Sequence, residues 1–406
     1  MGNFGSVGAG WVVSDEDFMQ NIQWLDFLKL KASWGTVGNG LNIGNYLSYP
    51  VLLNSNVAIF GNNVYASVTP DYIADPNLHW EVVEGKDVGV ELRAFKNKLS
   101  LDVDLYDRKT HDILTFIKLP NSDKRYFTNL GTIDNKGIEI TAGWSQELGK
   151  NFHISVNGNF SMNKNEVVSI GNSFNFEIDR GDNQTINRTI TGYSIGYFYG
   201  YVQDGIYQTE QELTKGPYFR DAVPGDIRYA DIDGNDTINQ NDRTYLGTPF
   251  PKNNFGASIN LSYKNFDFAI EGQGVAGSKI YLQRRTYHFA DLNYETNRLD
   301  AWHGKGTSNK EPQLDPGRNT LFSSYWLESG DYFRLRTVQL GYTFKSNQIK
   351  NIKSLRVYIS GQNIKTFTKA TGYSPEVPIN DPTSAGADNG TYPVPAIYSF
   401  GINLTL

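Results

Sequence analysis

Apolar and polar side chains alternate residue by residue along this chain, in segment after segment, and that pattern restricts the folds open to it. In LSLDVDLY, Leu99, Leu101, Val103 and Leu105 alternate with Ser100, Asp102, Asp104 and Tyr106. Val88, Val90 and Leu92 do the same against Asp87, Glu91 and Arg93, and Ile138, Ile140, Ala142 and Trp144 against Glu139, Thr141 and Gly143. The chain ends in that pattern, with Tyr398, Phe400, Ile402, Leu404 and Leu406 on one parity. A period of two places successive residues on opposite faces of a strand, so these segments are strands with one apolar and one wet face. In YFRLRTVQLGYTF the phase slips: Phe333 and Leu335 share one parity, Val338, Leu340, Tyr342 and Phe344 the other. A β-bulge near Arg336 and Thr337 absorbs such a slip.

Alternation alone suits a soluble sandwich as well as a membrane barrel, because a sandwich strand also has one apolar face. Connection lengths separate the two. Tight turns are expected at 96–98, 148–151 and 264–265, and a looser one between 345 and 354. Between them lie long polar stretches near 38–75, 107–128, 163–195, 205–250, 276–330 and 363–395. A compact soluble domain has little use for several loops beyond ~15 residues. An outer-membrane barrel has short periplasmic turns, long extracellular loops, an apolar lipid face and a polar lumen. No run approaches the ~18 apolar residues of a membrane helix, which leaves spanning by strands open. The expectation is therefore an all-β fold, an antiparallel transmembrane outer-membrane β-barrel of about a dozen strands, running through residues 1–406 without an internal linker.

Charge and composition exclude some partners. The 37 basic and 43 acidic residues are interspersed, so no basic stripe follows a phosphate backbone and nucleic acid is not expected. With no cysteine there is no thiolate metal site and no disulfide. GYSIG at 192–196 matches the nucleophile-elbow pattern around Ser194, but aromatic strand, not a helix, follows it. His79, His111, His153, His288 and His303 are scattered without metal-ligand spacing. Asp102 and Asp104 point the same way from one strand, which suits a glycosidase pair or a polar lumen wall, and the wall is the simpler reading. No catalytic residue is nominated.

One loop does carry a ligand pattern. DIDGNDTINQND, 231–242, places Asp231, Asp233, Asn235, Asn239 and Asp242 at positions 1, 3, 5, 9 and 12 of a calcium loop, with Thr237 where a backbone carbonyl serves. Asp236 replaces the usual glycine at position 6, and Asp242 is one methylene shorter than the usual glutamate. The alternatives are a structural Ca²⁺ site and a solvated Asx-rich turn.

Several stretches, in order, resemble the C-terminal part of the SusC/RagA family of TonB-dependent outer-membrane transporters. They are LKLKASWGTVGN, NLHWEVVEGKDVGVEL, NLGTIDNKGIEI, GYFYGYVQDGIY, PGDIRYADIDGNDTINQNDRTYLG and DYFRLRTVQLGYTF, together with the closing strand. The resemblance implies a Gram-negative outer-membrane importer of oligosaccharides or peptides, with a SusD-like lipoprotein as lid and the TonB complex as energy source. It implies that the acidic loop is an insertion in a barrel loop rather than half of an EF-hand pair. A signal peptide, TonB box, plug domain and first barrel strands are not found, so the resemblance makes this the C-terminal piece of a longer protein, short of the ~22 strands of such transporters. The alternative is a secreted or surface carbohydrate-binding all-β protein with a calcium-stabilised loop. A surface glycosidase is the third.

Overall fold

The alternating segments pair into one antiparallel sheet. In the computed structural model, which describes residues 2–405 apart from 41–47, 119–123, 172–175, 180–184, 220, 287–294, 316–318 and 346–351, that sheet has eleven strands. They are β1 (Ser6–Val12), β2 (Leu25–Asn39), β3 (Glu81–Ala94), β4 (Leu99–His111), β5 (Thr132–Leu148) and β6 (Phe152–Ser169), followed by β7 (Asn253–Tyr263), β8 (Phe266–Ala276), β9 (Tyr332–Lys345), β10 (Ser354–Thr368) and β11 (Ile397–Thr405). Each pairs with its neighbour in sequence, and β1 and β11 are the edges. Leu406 and His288 lie outside the described residues.

Register turns alternation into two continuous surfaces. Leu30, Val90, Val103, Ile140, Phe160 and Phe255 stand opposite one another across β2 to β7. The next row, on the other face, is Lys31, Gly89, Asp104, Glu139, Ser161 and Asn254. Lys31 reaches across Gly89 to Asp104, with Nζ 2.7 Å from the carboxylate. A Cβ on Gly89 would collide with both side chains, so the glycine is what lets the ion pair cross the intervening strand. Asp104 thus belongs to a charge-paired polar wall.

The expected slip in β9 is present. Glu271 faces Thr337 and Gly272 faces Leu335, which leaves Arg336 as the extra residue against β8. Beyond it β10 departs from register at Asn363 and Ile364, with Asn363 in the left-handed region at φ 51°. Both parities of β9 therefore keep their apolar side chains on one surface.

Two aromatic bands border the apolar face. At the short-turn end Phe95 lies 5.9 Å from Trp24 and 6.1 Å from Trp144, and Phe266 lies 4.7 Å from Tyr342. Toward the other end Phe333 stacks between Phe255 at 6.3 Å and Phe367 at 6.4 Å. From Phe255 to Tyr263 the strand rises roughly 27 Å at ~3.4 Å per residue. Tilted by ~35–45°, that segment covers about 19–22 Å, most of the ~25 Å apolar band of an outer-membrane barrel.

Connections alternate as expected. Short turns lie at 95–98, 149–151 and 264–265; Phe95, Lys96, Asn97 and Lys264 take positive φ there. Long connections leave the opposite rim at 40–80, 112–131, 170–252, 277–331 and 369–396. One expectation needs correction: 163–195 and 205–250 are not separate loops. The aromatic segment between them forms two short strands, Tyr197–Gly200 and Gln203–Ile206, which pair with other loop segments and not with the large sheet.

The hydrophobic core lies in these connections. Ile186, Phe198, Tyr281, Phe322 and Trp326 form one buried cluster, and Tyr201, Ile206, Ile227, Tyr229 and Ile238 another. Tyr325 packs against both. Parallel bridges from Tyr201 to Ser323 and from Tyr281 to Ala387, with an ion pair between Arg284 and the buried Asp388, tie 170–252, 277–331 and 369–396 into one body.

Placing Arg at Val103, in the middle of the apolar face, is expected to cost about 2–4 kcal/mol in a bilayer. Arg at Asp102, on the polar face, is expected to cost far less. Equilibrium unfolding of both variants in lipid vesicles checks this, and equal losses would reject the facing assignment.

Candidate functional site

The acidic loop sits in the β6–β7 connection, between a short strand at Ile227–Tyr229 and one at Thr244–Gly247. Its chain direction is set by side chains that hydrogen-bond their own backbone. One Asp231 oxygen accepts from the N–H of Gly234 at 2.8 Å and of Asn235 at 3.3 Å, the other from Asp236 at 2.8 Å. Asp233 accepts from the Asn235 N–H at 3.2 Å and side-chain amide at 2.8 Å. Asp236, at the position usually held by glycine, takes the left-handed conformation with φ 59°.

Asp242 closes the loop. Fully buried, it accepts from the Ile232 N–H at 2.8 Å and, with its second oxygen, from the Asn239 N–H at 2.7 Å. The Asn239 side chain in turn accepts from the Asn241 N–H, so Asn239 and Asp242 form a reciprocal cap on the turn Gln240–Asp242.

Of the six nominated residues, the structure brings the carboxylates of Asp231, Asp233 and Asp242 within 4.8 Å of one another. Asn235, Thr237 and Asn239 knit the loop beside them: Asn235 accepts from the Thr237 N–H at 2.9 Å, and Asn239 donates its amide to the Thr237 carbonyl at 3.1 Å. Among the described residues no Lys or Arg forms an ion pair with the three carboxylates. An all-oxygen set carrying up to three uncompensated negative charges fits a hard divalent cation and would hold a soft one poorly. Desolvation pushes the Asp231 carboxyl up, but the N–H groups of Asp236, Gly234 and Asn235 outweigh it and leave its pKa below the ordinary value.

Ile238, inside the loop, is only 4% exposed and packs in the cluster of Tyr201, Ile206, Ile227 and Tyr229. Oxygen spacing does not nominate it. The available signal was a single isoleucine amid eight polar or glycine neighbours. Trp302, Leu321 and Tyr325 from the 277–331 connection pack on the same cluster, so the acidic loop rests on a core it shares with a second loop. Tyr207 borders this region and donates its hydroxyl to the Pro217 carbonyl at 2.8 Å. Burial pushes its pKa up to about 12, so it stays a donor.

The other motifs stay apart. Ser194 lies ahead of the short strand at Tyr197–Gly200, with no helix behind it. His79 faces Asp112 at 3.3 Å, His111 faces Glu84 at 3.6 Å, His153 lies 3.5 Å from Ser145, and His303 contacts the Ala301 carbonyl. Among the described residues the three aspartates are the one group of metal-ligating side chains brought together.

Residues 2–364 match the family model described as TonB dependent receptor-like, beta-barrel. The chain is 30% identical to TonB-dependent receptor P3 of Formosa agariphila, over 99% of its own length and 41% of that protein. It is 26% identical to TonB-dependent receptor SusC of Bacteroides thetaiotaomicron, over 99% of its length and 40% of that protein. The RagAB peptide transporter superposes on 99% of the chain with a TM-score of 0.80 at 24% identity, covering 43% of that structure's chain; at that identity the likeness speaks for the fold. The chain spans about two fifths of the length of these relatives. Its paired strands, its two faces and its alternating connections are those of a barrel wall, and the chain belongs to the TonB-dependent receptor-like β-barrel family of the outer membrane.

Proposed function

We propose that this chain supplies the C-terminal barrel wall and outer loops of a nutrient importer, which takes up oligosaccharides or peptides with a SusD-like lipoprotein as lid and TonB as energy source. The observation that carries this reading is the loop body itself. Three long connections on one rim share a hydrophobic core, giving a rigid mouth above a polar wall, where a porin needs only an open one. The relatives' names point the same way, toward receptors and, for RagAB, a peptide transporter. The reading assigns no catalysis to the chain. Tyr332 and Arg334 both bond Glu376 and thereby fix the 369–396 connection against the top of β9, which suits a mouth that holds its shape.

Cells lacking the protein are expected to lose uptake of at least one labelled oligosaccharide or peptide too large for porins, drawn from a size-graded panel. Restoring the gene should restore uptake, and a protonophore should abolish it. Unchanged uptake across the panel would end the importer reading.

The acidic loop, in the same reading, is a structural calcium site on the extracellular side, held by Asp231, Asp233 and Asp242 with Asn235, Thr237 and Asn239 completing the loop. The cation would relieve repulsion among three carboxylates and brace the mouth, with no chemistry at the metal. Affinity in the ~10⁻⁴–10⁻³ M range of extracellular modules is expected. Calcium should protect the loop from proteolysis in the parent protein, and replacing Asp231 and Asp233 by Ala should leave it cleavable with or without calcium. A parent loop cut equally in both conditions is a solvated turn.

The loop also has an acid limit. The folded pKa of Asp231 lies below its unfolded value, so its contribution is fully present above the ordinary carboxylate range and is lost as pH falls through the lowered value. The protection of the Gly234 and Asp236 amides, their exchange relative to the intrinsic rate at each pH, should therefore hold as pH drops through the ordinary range and fall only below it. Protection already lost near the ordinary carboxylate pKa would show that these N–H bonds do not hold the carboxylate.

A further inference from the structure

A second site lies where β6 outruns β7. Above Met162, which faces Asn253, β6 continues to Ser169 while β7 has already ended. The upper edge of β6 is therefore only partly covered. The Asn163 N–H donates to the Lys252 carbonyl at 2.9 Å, and the Val167 N–H to the Tyr193 carbonyl at 2.8 Å. Successive residues of a strand point their N–H groups to opposite sides, so Asn165 faces the same gap as Asn163 and Val167. Its N–H has no acceptor among the described residues, while its side chain is engaged by Asn135 and by the Ile195 N–H.

That open rung lines a cavity of about 490 Å³ between the edge of β6 and the segments around 192–194 and 245–252. Tyr193 and Tyr245 form its aromatic wall and are 43% and 38% exposed. Their rings stand 5.7 Å apart, and each packs on Tyr197, which is 1% exposed, at 4.9 and 5.3 Å. A buried ring thus holds two exposed ones in place. Lys164 pairs with Glu166 at 2.6 Å, and Lys252 also lines the cavity.

We infer that this cavity is a binding subsite for a neutral pyranose ring, stacked on Tyr193 or Tyr245 and hydrogen-bonded through the Asn165 backbone. The C–H face of a pyranose is apolar and meets the negative face of an aromatic ring, while a hydroxyl oxygen accepts from the open N–H. An extended peptide fits worse. Strand addition needs several successive free rungs, and here the rungs on either side are already taken by Lys252 and Tyr193. The sugar can be part of a free oligosaccharide or the core of a membrane glycolipid; the chemistry is shared. This goes beyond the importer reading and is tested by binding rather than by uptake, so either can fail alone.

The protein, purified in detergent and freed of glycolipid, is titrated with maltohexaose, cellohexaose, laminarihexaose and mannohexaose, and separately with purified rough lipooligosaccharide, read by saturation-transfer NMR and calorimetry. At least one of these should bind. Y193A or Y245A should weaken that binding about tenfold, the effect of losing a stacking ring. Y245F keeps the ring face and should stay within about twofold. Binding by the hexasaccharides assigns a free glycan, and binding by lipooligosaccharide alone assigns a glycolipid. The inference is overturned if none of the probes binds, if neither alanine variant weakens binding, or if an unstructured peptide library binds in the same tyrosine-dependent way in place of the sugars.

Discussion

Backbone pairing comes first in this structure. In hydrocarbon no water satisfies a free N–H or C=O, so every residue of a spanning strand must find its partner on a neighbouring strand. Eleven strands each paired with the next meet most of that demand; the edges β1 and β11, the bulges in β9 and β10 and the upper end of β6 are the exceptions. Once the ladder is fixed, the faces are fixed too, since a slip of one residue would carry Val103 and Ile140 into the polar wall and Asp102 and Glu139 into lipid. The chain tolerates a local defect at Arg336 because the defect corrects the parity of Val338, Leu340 and the residues beyond them. Arg336 itself bonds Gln273 on the polar side, so the extra residue is spent where a charge has a partner.

Outside the membrane the problem is reversed. Water satisfies the backbone, and order in a loop must come from packing and from side-chain bonds that outweigh its conformational entropy. Ordering a residue costs about 1–2 kcal/mol, and burying a large apolar side chain returns about 1.5–3 kcal/mol. A long polar connection cannot order itself on those terms alone. These connections share side chains instead: Trp326 and Phe322 from one fill the space beside Ile186 and Phe198 from another, and Tyr325 joins the two clusters. The result inverts a globular protein, with the driest side chains in the loops and many of the strands' apolar side chains, such as Ile259, Leu340 and Phe400, exposed.

What could be read from the sequence divides along the same line. Strand faces, the bulge at Arg336, the short turns and the left-handed Asp236 are encoded by residues one to four apart, and each is where the sequence puts it. The loop core is encoded by residues more than a hundred apart, as when Tyr201 pairs with Ser323, and no local period announces it. Residues 197–206 read as strand because they are rich in aromatic side chains; their partners are loop segments at 187–188, 227–229 and 244–247. For the acidic loop the oxygen spacing was legible and its anchor was not. Ile238 carries no ligand atom, so only the fold reveals that it pins the loop to its base.

That anchor, with Asp242, explains how a loop of EF-hand spacing stands without flanking helices. In a helix–loop–helix unit the two helices hold the ends of the loop together. Here Asp242 does so from within, reaching back from position 12 to the Ile232 N–H near position 1 while also capping its own turn through Asn239. A buried carboxyl group is costly unless hydrogen-bonded, and these N–H groups are what satisfy the buried oxygens of Asp242. Ile238 then fixes the closed loop to a core that includes Trp302 and Tyr325 from the next connection. Closure and anchoring are thus supplied by hydrogen bonds and one apolar side chain, which leaves Asp233 exposed and the oxygens of Asp231 turned toward the loop's own amides. Both ends of the loop are held by its own side chains and by a core shared with the next connection.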